Sequence, residues 1–330
     1  MALNVGLLVA ITVPSIWLLL VLIPIIARLV KGKKSYKGKH VLITGGSSGI
    51  GLCLAEDFAL KGSHVTILAR TEATLKAAVE TIKKKATNPG QKINFVAVDL
   101  SDAAATVKAV QKAEEMAGPL DVAIANAGAS VPGYFMQQDA KVFEKSMSQN
   151  FLSAVHLAKA AAPGMCERRS GQIVFVASGA AVVSFIGYST YSPTKWAMRG
   201  LGDTLRNELL GFGVTVHVGY PPDTKTPGFE EEEKSKPIEC SRFSNFIGGS
   251  AFDPKQVAAG MVSGMEWGMY HLPSPDFIQN RMVETMAGVS PRANPVLEWT
   301  FLPLFSIIEW LTLFPMDHFG MQYGRKAKRS

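Results

Sequence analysis

A chain of 330 residues is long enough for one large α/β domain with a short remainder. Its 47% hydrophobic content points toward a membrane, and its net charge of +7 raises the question of nucleic acid. The location of the charge excludes nucleic acid: six basic residues (Arg28, Lys31, Lys33, Lys34, Lys37 and Lys39) directly follow the apolar N-terminus, and a second basic group closes the chain. Cys53, Cys166 and Cys240 are far apart and form no CxxC pair, and the histidines have no ligand spacing, so reduced thiols and no metal are expected.

Ala2 to Ala27 is an uncharged run of 26 residues, and about 20 suffice to cross a bilayer. A secretory signal is the competing reading. No basic residue precedes this run, it exceeds the usual apolar core of a signal, and it lacks a clear small-residue cleavage site. The expectation is an N-terminal transmembrane anchor over residues 1–30, its N-terminus luminal, followed by a basic linker over 31–39 on the cytosolic side. Pro14 and Pro24 are tolerable bends in lipid.

From His40 to about Gly219, short β-branched runs alternate with stretches long enough for a helix. The runs are 40–44, 65–69, 95–98, 122–125, 173–176 and 214–218. Six such runs predict parallel strands joined by crossover helices, a Rossmann-type doubly wound sheet within one catalytic domain over 40–285. The first run ends in Thr44-Gly45-Gly46-Ser47-Ser48-Gly49-Ile50-Gly51 and enters a helical pattern over 52–60. Glycines between strand and helix let the backbone approach a pyrophosphate seated on free N–H groups. Gly45, Ser47, Ser48, Gly49, Ile50 and Gly51 are therefore candidate cofactor contacts.

Arg70 closes the second run, 19 residues beyond Gly51, where an acidic residue would bind a ribose 2′-hydroxyl. An arginine there accepts a 2′-phosphate, which predicts NADPH; a solvated surface arginine is the bland alternative. Asp99, with Leu100 beside it, ends the third run and is suited to an adenine amino group. Asn126-Ala127-Gly128 ends the fourth in a turn open to close backbone approach.

Ser178 closes the fifth run, and Tyr191-Ser192-Pro193-Thr194-Lys195 follows 13 residues later. Tyr191 and Lys195, at i and i+4, share a helix face. Pro193 demands that this helix begin close by. Carbonyl reduction needs a proton donor at oxygen while hydride reaches carbon. The expectation is that the phenol donates, that the lysine ammonium lowers its pKa, and that Ser178 holds the carbonyl oxygen.

Together these motifs resemble the short-chain dehydrogenase/reductase superfamily over about 40–270. The resemblance implies that Asn150 holds a water linking Lys195 to solvent, that Pro221 and Thr224 join the cofactor contacts, and that the homodimer is the default assembly. Ala125 departs from the asparagine many members carry there. A further likeness lies in Tyr220-Pro-Pro-Asp-Thr-Lys-Thr-Pro-Gly-Phe229, with Gly288-Val-Ser-Pro291 and the N-terminal anchor. It resembles the 3-ketodihydrosphingosine reductases and implies a lipid substrate, 3-ketosphinganine, reduced at its C3 ketone. A steroid, retinoid or acyl carbonyl, or a noncatalytic nucleotide-binding scaffold, are the alternatives.

Residues 221–250 are rich in Pro, Gly and charge and are expected to form a flap or a disordered loop. Its acidic run, Glu230 to Glu233, reads as a solvated loop or as a lure for the ammonium of an aminoketone. Residues 286–330 form a hydrophobic region with a basic tail. Within 295–315, Glu298, Glu309 and Pro303 favour a segment lying in the membrane interface over a crossing. Lys326 and Lys328 resemble a K-x-K-x-x retrieval signal, implying the endoplasmic reticulum membrane with a cytosolic C-terminus.

Overall fold

The computed structural model describes residues 5–246 and 250–285 and, beyond them, 294, 296, 298–304, 307, 311 and 318, with side chains along 5–24 described in part. The tail with Lys326 and Lys328, residues 288–291, Glu309 and much of 295–315 lie outside the described residues.

The apolar N-terminus forms helix α1 (Val5–Lys31), which stops at Gly32 in the left-handed conformation (φ 71°), a backbone state open to glycine. Among the described residues no helix is long and apolar enough to cross a membrane. Of residues 31–39, expected as a linker, Lys31 ends α1 and 32–39 are docked on the domain. The Lys34 amide donates to the Glu266 carbonyl at 2.9 Å, and Tyr36, 4% exposed, donates its hydroxyl to Gln172 at 2.8 Å.

The strands are β1 (His40–Thr44), β2 (His64–Ala69), β3 (Ile93–Ala97), β4 (Val122–Ala125), β5 (Gly171–Val176), β6 (Val214–Gly219) and β7 (His271–Leu272). They form one parallel sheet in the order β3-β2-β1-β4-β5-β6-β7. The six expected strands are all present. The seventh escaped notice because two residues carry no periodicity.

The intervening helices are α2 (Gly49–Leu60), α3 (Glu72–Lys83), α4 (Ala103–Ala117), α5 (Ala140–Ser146), α6 (Ser153–Glu167), α7 (Ser192–Leu210), α8 (Pro227–Ser235), α9 (Ile238–Phe246), α10 (Pro254–Glu266) and α11 (Phe277–Thr285). Successive strand residues point to opposite faces, so each strand supplies two cores. On β1, Leu42 enters a cluster with Leu157 of α6 and Met198 of α7, while Val41 and Ile43 pack with Leu54 of α2 and Val257 of α10. All three β1 residues are fully buried, which explains the unbroken apolar run of a sheet covered on both faces. Truncating one of them to alanine would cost about 2–5 kcal/mol.

The described part of 221–250, expected as a flap or disordered loop, holds helices α8 and α9. Near the C-terminal region Asn294 donates to the Val21 carbonyl at 2.8 Å and Trp17 donates to Thr300 at 3.0 Å, so this segment lies along α1. Glu298 turns inward: it is 1% exposed, accepts from the Asn294 amide at 3.1 Å and bonds the Glu284 side chain. Burial, with the Glu298 carboxyl beside it, holds the Glu284 carboxyl well above its ordinary range despite an ion pair to Arg281 at 3.1 Å.

Candidate active site

The glycine loop runs from β1 into α2 at the carboxyl edge of the sheet, where parallel α/β folds bind ligands. Its glycines are sterically required. A Cβ on Gly51 would lie 2.3 Å from the Gly45 carbonyl oxygen and 2.5 Å from Asn126 Nδ2. Gly45 (φ 66°) and Gly49 (φ 55°) occupy left-handed backbone. Ser48 occupies the N-cap of α2 without a side-chain cap, so the first-turn amides of α2 face a shallow cradle that includes Ser47, Gly49 and Ile50. This cradle fits a pyrophosphate.

The β4 turn is tied to that loop. Thr44 Oγ1 accepts from the amides of Asn126 (2.9 Å) and Ala127 (3.0 Å), and Asn126 Nδ2 donates to the Thr44 carbonyl at 3.0 Å. Thr44, the first residue of the motif, thus anchors both loops, a role that sequence reading did not assign. Arg70 is exposed just beyond β2 and lies close enough to Asp99 to help hold that carboxyl below its usual range, behind the hydrogen bonds from Ser101. Leu100 turns its side chain into the core, 7% exposed, and gives its carbonyl to His156 at 2.9 Å.

Tyr191 stands at the N-cap of α7, and Pro193 falls in the first turn, as its ring demands. Lys195, one turn on and 3% exposed, donates Nζ to the Val176 carbonyl at 3.0 Å and lies 5.5 Å from the Tyr191 ring centroid. Burial pushes its ammonium down to about 8. Ser178, the N-cap of a short 3₁₀ turn (Gly179–Ala181), accepts from the Ala180 amide at 3.1 Å and is hydrogen-bonded to Tyr191.

Asn150 is fully buried in a π-helical turn (Met147–Leu152) and makes a reciprocal pair with Ala129, accepting at 2.8 Å and donating at 3.0 Å. A Cβ on Gly128 would meet Asn150 Oδ1 at 2.7 Å and Lys195 Nζ at 3.5 Å, which brings Gly128, Asn150 and Lys195 together. Pro221 accepts from the Gly179 amide at 2.9 Å, and the buried Thr224 bonds the Pro222 carbonyl at 2.6 Å.

One expectation is corrected here. The Tyr191 phenol is pushed up, because burial dominates and the Glu232 and Asp223 carboxylates add to it, with the Ser178 bond pulling the other way. Lys195, its Nζ committed to Val176, is not among the groups that move it. The phenol is therefore protonated at neutral pH, the form a proton donor needs.

Three further features escaped sequence reading. Tyr188 donates its hydroxyl to Glu232, and Tyr134 donates to Glu239. Gln279 of α11 donates to the Tyr220 carbonyl at 2.5 Å and closes over Gly179. None has a local pattern, since each pairs residues at least 44 positions apart.

The chain belongs to the short-chain dehydrogenase family: the family model so described matches residues 39–237. It is an oxidoreductase acting between CH–OH and C=O groups, with a nicotinamide cofactor. Among its relatives, 3-dehydrosphinganine reductase of Danio rerio is 41% identical over 226 residues, 68% of each chain. The 3-ketodihydrosphingosine reductase of Bos taurus is 35% identical across 85% of each chain, and that of Dictyostelium discoideum 36% identical across 72% of this chain and 74% of the relative. The crystal structure of levodione reductase superposes with a TM-score of 0.65 at 22% identity, covering 72% of this chain and 96% of that one; it shares the fold.

Proposed function

We propose that this enzyme reduces the C3 ketone of 3-ketosphinganine to the alcohol of sphinganine, drawing on NADPH. The observation that carries the reading is the convergence of Ser178, Tyr191 and Lys195 beside the Gly45–Gly51 cradle, in a chain whose relatives are named for that reaction.

The amides of Ser47, Ser48, Gly49, Ile50 and Gly51 would hold the pyrophosphate. Arg70 would take the 2′-phosphate; Asp99 and Leu100 would flank the adenine. Asn126, Ala127, Gly128, Pro221 and Thr224 would line the nicotinamide end, with Tyr191 and Lys195 at its ribose. When bound, the cofactor supplies a hydride to the ketone carbon. Tyr191 gives its proton to the carbonyl oxygen, and Ser178 holds that oxygen against the phenol. Lys195 and the Asn150 turn return a proton to Tyr191 from solvent.

NADPH oxidation with 3-ketosphinganine, compared with steroid and retinoid ketones, tests the reading. Preference for a steroid or retinoid, or equal use of NADH, would overturn the corresponding part.

The apolar run of α1 and the basic residues after it support an anchor in the endoplasmic reticulum membrane with the catalytic domain cytosolic. Protease added to sealed microsomes should then remove a C-terminal tag; a tag protected until detergent is added would refute this topology. A homodimer is proposed on family habit, to be read by light scattering in detergent.

A further inference from the structure

The four glutamates 230–233 do not act alike in the fold. Glu230 is exposed in the first turn of α8, where the helix dipole favours a carboxylate. Glu231 pairs with Lys234, and Glu233 pairs with Lys236 at 2.6 Å. Glu232 alone turns toward the catalytic tyrosine. It accepts the Tyr188 hydroxyl, and the Tyr188 ring packs 6.1 Å from that of Tyr191.

We propose that Glu232 is the specificity residue that receives the ammonium of the aminoketone. This rests on the function proposed above and narrows it to one side chain. The substrate's ammonium sits on the carbon next to its ketone, so a carbonyl held by Tyr191 and Ser178 brings that charge to the neighbourhood of Tyr188 and Glu232.

The other charged groups here do not take this place. Lys195 is committed to the Val176 carbonyl, and Asp223 accepts from Ser244 at 3.1 Å; Lys236 hydrogen-bonds Glu233, lies over the Phe229 ring at 5.2 Å and, near Glu232, partly offsets the burial that holds the Glu232 carboxyl above its ordinary range. A carboxylate beside a proton-donating phenol opposes the transfer by holding the phenol's pKa up. A substrate cation between them cancels that opposition, and a neutral ketone does not. The carboxylate thus penalises the wrong substrate as well as attracting the right one.

A second observation points to a ligand at this place. The Ser192 hydroxyl, adjacent to Tyr191 and in a residue 4% exposed, has no hydrogen-bond partner among the described residues. With Tyr188 it lines a cavity of about 530 Å³ whose other walls include Phe185, Ile186 and Trp196; Glu232 stands behind Tyr188, outside that lining. A lining that mixes hydroxyls (Tyr188, Ser189, Ser192) with apolar side chains suits an amphiphilic molecule.

The test uses the full chain, NADPH and two ketones: the aminoketone and its neutral analogue with hydroxyl in place of the amine. Glu232→Gln keeps an acceptor for Tyr188 and removes the charge. The ratio of kcat/KM for amine over analogue should fall roughly 10- to 150-fold, the range of a charge-assisted contact, while Glu231→Gln leaves the ratio unchanged. Reading a ratio makes partial misfolding irrelevant, and an unchanged ratio overturns the proposal.

A second measurement needs no variant. In the wild type, a long-chain aminodiol should inhibit more strongly than the corresponding neutral triol; equal inhibition also overturns it. A wild type that reduces the aminoketone but shows either negative result keeps the proposed function and loses Glu232. A wild type inert toward the aminoketone loses both.

Discussion

Replacing Gly128 by alanine probes the point where the β4 turn, the π-turn and the buried lysine meet. The new Cβ would lie 2.7 Å from Asn150 Oδ1, and ordinary contact begins near 3.4 Å, so the amide would have to retreat by about 0.7 Å. That oxygen already accepts from the Ala129 amide at 2.8 Å, and the same side chain donates back at 3.0 Å. A retreat of this size stretches the accepted bond to about 3.5 Å, beyond useful geometry. Leaving a fully buried polar group unpaired costs about 1–3 kcal/mol. A loss of about 2 kcal/mol corresponds to roughly 4–8 °C in melting temperature for a domain of this size. Because Lys195 Nζ would be 3.5 Å from the same Cβ, kcat and its pH profile should shift as well. Gly200→Ala is the control: Gly200 is exposed on α7 with nothing within 4 Å of its added Cβ, and the change should gain about 0.5–1 kcal/mol. Thermal melts and pH–rate profiles of both variants decide the matter. If Gly128→Ala melts like Gly200→Ala with an unshifted pH profile, the packing described around Asn150 is wrong. A Gly128→Ala/Asn150→Ala double variant should be less destabilised than the sum of the singles, since removing the amide removes the clash.

Tyr191→Phe keeps the ring and removes the proton; kcat should drop 10²- to 10⁴-fold with cofactor affinity unchanged by fluorescence titration, and retention of about a tenth of the rate would reassign the acid. Arg70→Ala should raise KM for NADPH roughly 10- to 150-fold and barely alter KM for NADH, so equal effects would deny it the 2′-phosphate. His217 is 2% exposed and bonded to the Met269 carbonyl at 2.6 Å, and burial pushes it down to about 4, below its unfolded value of about 6.5. The stability it contributes is full above pH 6.5 and is lost as pH falls toward 4, on the order of 3 kcal/mol. His217→Gln should therefore flatten the dependence of denaturation midpoint on pH between 6.5 and 4, and parallel curves would refute the assignment.

The sheet was legible because it is buried on both faces: runs such as His40–Thr44 are buried throughout and apolar at their centres, and their ends fall within two residues of the strands. The start of α7 was fixed by Pro193, whose ring admits a first-turn position and little else. The position of the cofactor loop was legible for a similar reason, since Gly45 and Gly49 need positive φ and Gly51 has no room for a Cβ. What could not be read depends on partners remote in sequence. Nothing local says that Glu232 folds inward to Tyr188 while Glu231 and Glu233 pair with Lys234 and Lys236. The direction of the Tyr191 shift was misjudged because burial and two flap carboxylates outweigh anything read from an i, i+4 lysine. Strand β7 is too short to show a period, and α8 and α9 are hidden in a stretch whose prolines fall at or before helix starts.

The docked stretch between α1 and β1 has a mechanical meaning for the proposed anchor. Glu266 gathers Lys61 at 2.7 Å and Lys33 at 3.6 Å, Lys33 also covers the Trp267 ring at 5.3 Å, and Tyr36 is wedged edge-on against Phe58 at 5.0 Å. A leash of eight loose residues would let the catalytic domain tumble relative to such an anchor. A bracket bolted to the domain gives it a fixed bearing, and the turns at either end of the mount are made by the left-handed residues Gly32 and Gly38. With α1 in a bilayer, as proposed, the site beside Tyr191 would keep one bearing to the lipid surface, and a substrate diffusing in that plane would meet it by a search in two dimensions.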